Sequence, residues 1–213
     1  MRGFLILLLL IVSVTVVSAD TDMLRIGSFA GSGLAGWSEK SFKGNTEYRI
    51  VADDGENVLQ ATSQGAASGL VFETAYDPRD YPVLSWRWKI SNTISKGDSR
   101  TRAGDDYAAR VYVIFPHWFF LKTRTLNYIW ANRLPKEAVQ ANVFTGNAMM
   151  IAVESGDEHV GEWRDVRRDI VADYRRAFGE DPPSVGAIAI MTDTDNTGET
   201  AMAWYGDIVA RRR

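Results

Sequence analysis

The stretch AIAIMTDTDNTGE, residues 187–199, places an apolar run of strand length directly before a short loop of carboxylate, amide and hydroxyl side chains. A second apolar run, residues 201–205, follows this loop. Two such runs joined by a short polar connection that contains glycine are typical of a β-hairpin. The connection therefore has two possible roles, as a turn between strands and as a source of oxygen ligands for a hard cation.

Short runs rich in β-branched and aromatic residues precede this hairpin, separated by glycine-containing and polar turns. Apolar and polar side chains alternate through residues 84–90, which indicates a half-buried strand. Residues 104–115 are almost continuously apolar beyond Arg110, which is typical of a central strand. Residues 126–131 fit a strand or a helical turn equally well. The predicted strands are residues 37–42, 46–51, 57–62, 69–73, 81–90, 104–115, 126–131, 148–154, 187–191, 201–205 and 206–209.

One segment has a helical period, because apolar residues recur at three- and four-residue spacing from Val166 to Phe178. Asp165 is a suitable N-cap, and Gly179 stands where a left-handed residue often ends a helix. Short strands with one helix predict a mainly all-β fold. We expect a two-sheet antiparallel β-sandwich of jelly-roll type with a short α-helix near residues 166–178.

Composition limits the possible classes of protein. The 213 residues contain no cysteine and are 46% hydrophobic, enough for a core that needs no disulfide. The formal net charge of −3 does not favour nucleic-acid binding. The two histidines lack the spacing of a zinc site, and no serine stands in a Gly-x-Ser-x-Gly motif, so neither zinc chemistry nor a hydrolase triad has positive support.

Residues 1–19 have the features of a signal peptide: Arg2, an apolar stretch over residues 4–17, and small residues before a cleavage point after Ala19. An uncleaved anchor is the alternative, although the apolar stretch is short for a membrane span. We therefore expect residues 20–213 to form a single domain, periplasmic or secreted, with no transmembrane span after cleavage.

The hairpin loop is a candidate calcium site. Asp193, Asp195 and Thr197 alternate ahead of Gly198, as oxygen ligands do in the first half of a calcium loop. The loop departs from an EF-hand, because Trp204 stands where a bidentate glutamate is needed, so further ligands must come from elsewhere. A polar turn whose side chains bond their own backbone is the alternative. The additional candidate ligands are Asp105, Asp106 and Glu154.

The start of the strand at residues 104–115 is a second candidate site. Neighbouring strand residues face opposite sides, so Asp106 is the carboxylate expected to share a face with Arg110. A buried Asp106–Arg110 pair would be structural or functional. Paired carboxylates also perform glycoside hydrolysis, and Asp106 with Glu154 is the pair to consider.

Seven tryptophans are many for a chain of this length. Sugar-binding surfaces use flat aromatic rings beside polar groups. Trp86 and Trp88 share an apolar strand face and are predicted core residues. The aromatic segment 116–121 would either cap the core, as large aromatic residues usually do, or form a contact surface. The predicted ligand-binding residues are Asp105, Asp106, Arg110, Trp118 and Trp163.

Five motifs, in order along the chain, carry a family resemblance: WSEKSFKG at 37–44, LSWRWK at 84–89, GDDYAARVYV at 104–113, LNYIW at 126–130 and MTDTDNT at 191–197. Together they resemble the bacterial domain of unknown function 3047 family over about residues 29–209. The resemblance implies an exported bacterial protein, in many members a periplasmic one, with no assigned activity. More distantly, the strand containing Trp37 and the segment 205–208 are similar to galactose-binding-like jelly-roll modules.

Three functional hypotheses follow. The first is a binding or accessory module for a glycan or cell-envelope ligand, supported by calcium. The second is a carboxylate-dependent, glycosidase-like hydrolase that uses Asp106 and Glu154. The third is a structural envelope protein without a small ligand.

Overall fold

Fourteen strands and one α-helix make up residues 22–213, the part of the chain that the computed structural model describes. The predicted signal peptide and its cleavage point lie outside the described residues. No helix within residues 22–213 is long and apolar enough to cross a membrane. The elements are β1 (Met23–Gly27), β2 (Trp37–Lys43), β3 (Glu47–Asp53), β4 (Glu56–Gln64), β5 (Ala67–Tyr76), β6 (Val83–Ile90), β7 (Tyr107–Phe115), β8 (Arg124–Ala131), β9 (Val139–Asn142), β10 (Thr145–Ser155), β11 (Arg164–Asp169), α1 (Ile170–Phe178), β12 (Val185–Asp193), β13 (Thr200–Tyr205) and β14 (Ile208–Arg211).

The strands form two sheets. Sheet A has the order β1-β14-β6-β13-β4-β3, with β11 on the other edge of β6, and sheet B has the order β2-β5-β12-β7-β8-β10-β9. The predicted two-sheet β-sandwich of jelly-roll type with one short helix is confirmed. The prediction of purely antiparallel sheets was wrong at one place, since β8 and β10 pair in parallel. Parallel pairing is possible there because β9 and its loops carry the chain back between the two strands.

The core lies between the sheets and is rich in aromatic rings. Trp86 and Trp88 point inward from β6, as their alternation predicted, and both are buried. The ring centres of Trp86 and Tyr128 are 5.3 Å apart, and those of Trp88 and Trp130 are 6.1 Å apart. These contacts join sheet A to sheet B at the centre of the sandwich.

The helix begins later than the sequence predicts. Residues of β11 pair with β6 from Arg164 opposite Trp88 to Asp169 opposite Val83. The N-cap is therefore Asp169, whose carboxylate accepts a hydrogen bond from the Ala172 N–H at 3.0 Å. The prediction of Asp165 as the cap was wrong, because the free edge of β6 binds this segment as a strand. The end of the helix is as predicted, since Gly179 has a φ of 76° and its N–H donates to the carbonyl of Arg175.

The aromatic segment 116–121 does not cap the core. Pro116 follows the last residue of β7, and the chain leaves the sheet as a short loop before β8 begins. Trp118 is 92% exposed and Phe120 is 74% exposed. The core alternative was therefore wrong, and the contact-surface alternative agrees with the structure. Residues 126–131, left open between strand and helical turn, lie in β8.

Candidate functional site

The connection between β12 and β13 is held closed by Asp106. This side chain is fully buried and accepts three hydrogen bonds, from the backbone N–H of Asn196 at 3.2 Å, the side-chain amide of Asn196 at 3.0 Å and the N–H of Thr197 at 2.7 Å. A carboxylate that accepts several N–H groups fixes the backbone that carries them. Asp106 therefore acts on the hairpin loop as a structural acceptor.

Arg110 forms a buried ion pair with Asp193, on the face of sheet B that points away from the core. Its guanidinium also donates to the carbonyl of Asp105 at 2.7 Å and to the Tyr112 hydroxyl at 3.1 Å, and it lies over the Tyr107 ring at 4.2 Å. The predicted ion pair of Arg110 with Asp106 was wrong. The register of β7 on β12 brings Asp193 beside Arg110, while the Asp106 carboxylate turns toward the loop.

Three carboxylates lie close together at this end of the sheet. Oxygen atoms of Asp106, Asp193 and Asp195 are all within 4.8 Å of one another. Burial raises the pKa of the Asp193 carboxyl; Arg110 opposes this shift, and the charge of Asp106 adds to it. Burial and the charge of Asp106 also raise the pKa of Asp195, against the effect of Lys43. The group thus has excess negative charge, which a proton or a bound cation would relieve.

The predicted metal ligands are only partly brought together. Asp193 and Asp195 join Asp106 in one group of oxygen atoms. Thr197 instead donates its N–H to Asp106, and its hydroxyl accepts from the Glu199 N–H at 3.3 Å.

Glu154 and Asp105 have other partners. Glu154 accepts hydrogen bonds from Lys136 at 2.8 Å and Arg164 at 3.5 Å, and it is not part of the three-carboxylate group found within residues 22–213. Asp105 accepts from the Asn142 amide at 2.9 Å. A glycosidase needs two carboxylates facing one cleft. Because Asp106 and Glu154 bind different protein donors, the geometry does not favour the hydrolase hypothesis.

The two predicted contact tryptophans are in different situations. Trp163 donates its indole N–H to Asp53 at 2.8 Å. The guanidinium of Arg87 lies 4.5 Å from a ring centre of Trp163, and the ammonium of Lys89 lies 5.1 Å from it. These cations already use the π surface that a sugar would stack against. Trp118 stands exposed on the loop between β7 and β8.

A trough of about 430 Å³ crosses the outer face of sheet B, beside the Arg110 ion pair. Its floor is built from Gly69, Val71 and Ala189, small side chains on the central strands β5 and β12. Phe42 on β2 and Tyr112 on β7 flank this floor. The remaining residues that line the trough are Ser38, Lys40, Glu73, Ile114, Thr125, Ile190 and Met191.

The sequence pattern did not predict this trough. Five strands build it, β2, β5, β12, β7 and β8, and only their pairing places Phe42 and Tyr112 on one face. One signal was present, since Phe42 stands among the polar residues of a predicted strand. Its 63% exposure is unusual for a phenylalanine.

Two buried polar atoms near Tyr112 have no hydrogen-bond partner among the described residues: Nε of Arg110 and Oδ1 of Asn127. Asn127 lies directly opposite Tyr112 in the pairing of β7 with β8. Buried polar atoms are rarely left unpaired in native proteins. This part of the sheet is therefore unusually polar for a buried surface, and it adjoins the trough through Tyr112.

Comparisons give a family but no assigned activity. The family described as "Protein of unknown function (DUF3047)" matches residues 35–209. No curated protein matches the chain significantly.

Several solved structures are similar at low identity. A mutant of the family 29 carbohydrate-binding module CBM29-2 is 10% identical, with a TM-score of 0.42 over 88% of this chain and 90% of that chain. The CBM22-1 xylan-binding domain of Paenibacillus barcinonensis Xyn10C is 10% identical, with a TM-score of 0.44 over 92% of this chain and 99% of that chain. The carbohydrate recognition domain of Emp47p is 9% identical, with a TM-score of 0.45 over 92% and 100%. Similarity at this level carries no argument about function.

Proposed function

Because the chain belongs to the DUF3047 family, for which no activity is assigned, we propose from the geometry of the site that it is a binding module for a glycan of the cell envelope. The observation that carries this proposal is the trough on the outer face of sheet B, between Phe42 and Tyr112. Its volume of about 430 Å³ lies within the range of roughly 300–1,000 Å³ that is common for small-ligand sites.

The chemistry of the trough fits a sugar. A pyranose ring has apolar faces, which pack on aromatic rings, and hydroxyl groups around its edge, which need donors and acceptors. Phe42 and Tyr112 supply the rings, Lys40 on β2 supplies a cation 5.5 Å from the centre of the Phe42 ring, and Glu73 on β5 supplies a carboxylate. The small side chains of the floor let a flat ligand approach the backbone of the sheet.

Replacing Phe42 with Ala tests this proposal. We expect binding to fall at least tenfold (~1.4 kcal/mol), measured by calorimetric titration with a panel of neutral and acidic envelope oligosaccharides. The melting temperature should stay nearly unchanged, because Phe42 is exposed. Phe144→Ala is the matched control, since Phe144 is also exposed, at 52%, but does not line the trough. Equal binding by the two variants, or no binding by the unaltered chain to any member of the panel, would contradict the proposal.

Calcium bound by Asp106, Asp193 and Asp195 is the second part of the proposal. It is supported by the short separation of the three carboxylates and by their excess negative charge. Calcium prefers six to eight oxygen ligands, so backbone carbonyls or water would have to complete its coordination. A bound ion would stabilise the loop that follows β12, at one end of the outer face of sheet B.

Thermal unfolding in chelator and then in rising calcium tests this part. An ion at ~100 times its dissociation constant adds ~2.7 kcal/mol, which corresponds to a rise in melting temperature of roughly 5–11 °C for a domain of this size. We expect Asp195→Asn to abolish the rise, since Asp195 is the most exposed of the three carboxylates and its replacement should leave the fold intact. Asp54→Asn, on the exposed β3–β4 turn, is the control. An unchanged melting temperature in calcium would show that the loop is only a polar turn.

A further inference from the structure

The loop between β7 and β8 presents four consecutive large apolar side chains to solvent. We call Trp118, Phe119, Phe120 and Leu121 the aromatic tip. Every member is exposed, from 42% for Phe119 to 92% for Trp118. A contiguous exposed apolar patch usually marks an interaction surface, because exposing it to water is costly.

The aromatic tip has a defined shape. The N–H of Lys122 donates to the carbonyl of Phe119 at 2.8 Å, and the N–H of Phe119 donates to Nδ1 of His117 at 3.0 Å. The side-chain amide of Asn147 on β10 donates to the carbonyl of Leu121 at 2.7 Å. One short segment, tied to itself and to β10, therefore projects its rings outward. This surface is a protrusion, whereas sites for sugars and other small ligands are usually concave.

Positive charge lies at the base of the aromatic tip. Lys122 follows the tip directly and has no ion pair within the described part of the chain, and residues 107–134 contain no acidic side chain. A cavity of about 780 Å³ beside the tip is lined by three cations, Arg79, Lys122 and Arg124. The acidic residues Glu180 and Asp181 also line it, and each is paired with an arginine. Exposed apolar side chains and an excess of basic side chains therefore lie next to each other.

We propose that the aromatic tip inserts into the surface of a lipid bilayer that contains anionic headgroups. Tryptophan and phenylalanine side chains are well suited to the boundary between headgroups and acyl chains, and adjacent basic residues are attracted to anionic lipid. Lys122, which follows the tip directly in sequence and lines the neighbouring cavity, would then meet the headgroup phosphates. The neighbouring cavity has room for one headgroup. This role is independent of the trough on sheet B.

The absence of cysteine allows a local test in the full chain. Phe120→Cys, labelled with an environment-sensitive fluorophore, reports on the surroundings of the tip. Its signal therefore does not depend on contacts that residues 1–19 make with the vesicles. Glu158→Cys is the control, because it is exposed and follows the opposite end of β10 from Asn147. We expect vesicles of phosphatidylglycerol and phosphatidylcholine to shift the emission of the label at position 120 to the blue and to protect it from acrylamide, with no change at position 158.

Two further measurements make the result decisive. Lys122→Gln should weaken partitioning of the tip-labelled chain roughly fivefold, the effect of about one basic residue near an anionic surface, and vesicles of phosphatidylcholine alone should give a much smaller shift. The proposal is overturned if the label at position 120 stays as accessible as that at position 158, or if both lipid compositions act equally. Protection that rises with protein concentration without vesicles would also overturn it, and would identify the tip as a contact between copies of the chain.

Discussion

Replacing Arg110 with Met is expected to lower the free energy of unfolding by about 3–5 kcal/mol, because it leaves the carboxylate of Asp193 buried without its cation. Urea denaturation of the variant and the unaltered chain measures the difference. Arg100→Met is the matched control. Arg100 also pairs with an aspartate, Asp98, but in an exposed position where such a pair contributes little to stability.

A second substitution shows where the loss from Arg110→Met comes from. Adding Asp193→Leu should recover much of the lost stability, since a buried ion pair replaced by apolar side chains of similar size is often close to neutral. If Arg110→Met costs no more than Arg100→Met, the ion pair of Arg110 with Asp193 does not hold β7 to β12.

Replacing Trp88 with Ala should also cost about 3–5 kcal/mol, because it removes a fully buried ring from the contact between the sheets. Trp88→Phe should cost much less. The indole N–H of Trp88 has no acceptor within residues 22–213, and removing such a buried donor recovers about 1–3 kcal/mol of desolvation. This gain offsets part of the free-energy cost of the small cavity that Trp88→Phe leaves. Urea denaturation of both variants is the measurement.

Trp118→Ala is the control for Trp88→Ala, since it deletes the same side chain where it is 92% exposed. Its effect on the free energy of unfolding should stay within about 0.5 kcal/mol. A loss from Trp88→Phe as large as that from Trp88→Ala would mean that the shape of the indole, and not its buried area alone, maintains the core.

The sequence predicts the strands well where one face of the strand is buried. The alternation around Trp86 and Trp88 depends only on local pattern, and β6 agrees with it. The start of the helix was wrong because Val166 and its neighbours fit a strand and a helix equally well over six residues. The free edge of β6 decides between them, and this edge is more than seventy residues away in sequence.

The site was less predictable because its groups come from distant segments. Arg110 meets Asp193 through the register of β7 on β12, and no local rule gives that register. Phe42 and Tyr112 share a trough only after β5 and β12 have come between them. Asp106 shows the same difficulty: the sequence placed it within a predicted strand at residues 104–115, whereas β7 begins at Tyr107 and Asp106 binds the hairpin loop instead.

The pairing of β1 with β14 affects when this domain can fold during its synthesis. Met23 lies opposite Arg211, so the early strand β1 has no strand partner until β14 has been synthesised. Strand β6 depends in the same way on β13 and β14 along one of its edges. Sheet A cannot be completed on the ribosome until β14 has been translated. Folding of a chain with such distant pairings is expected to be slow, in the range of milliseconds to seconds.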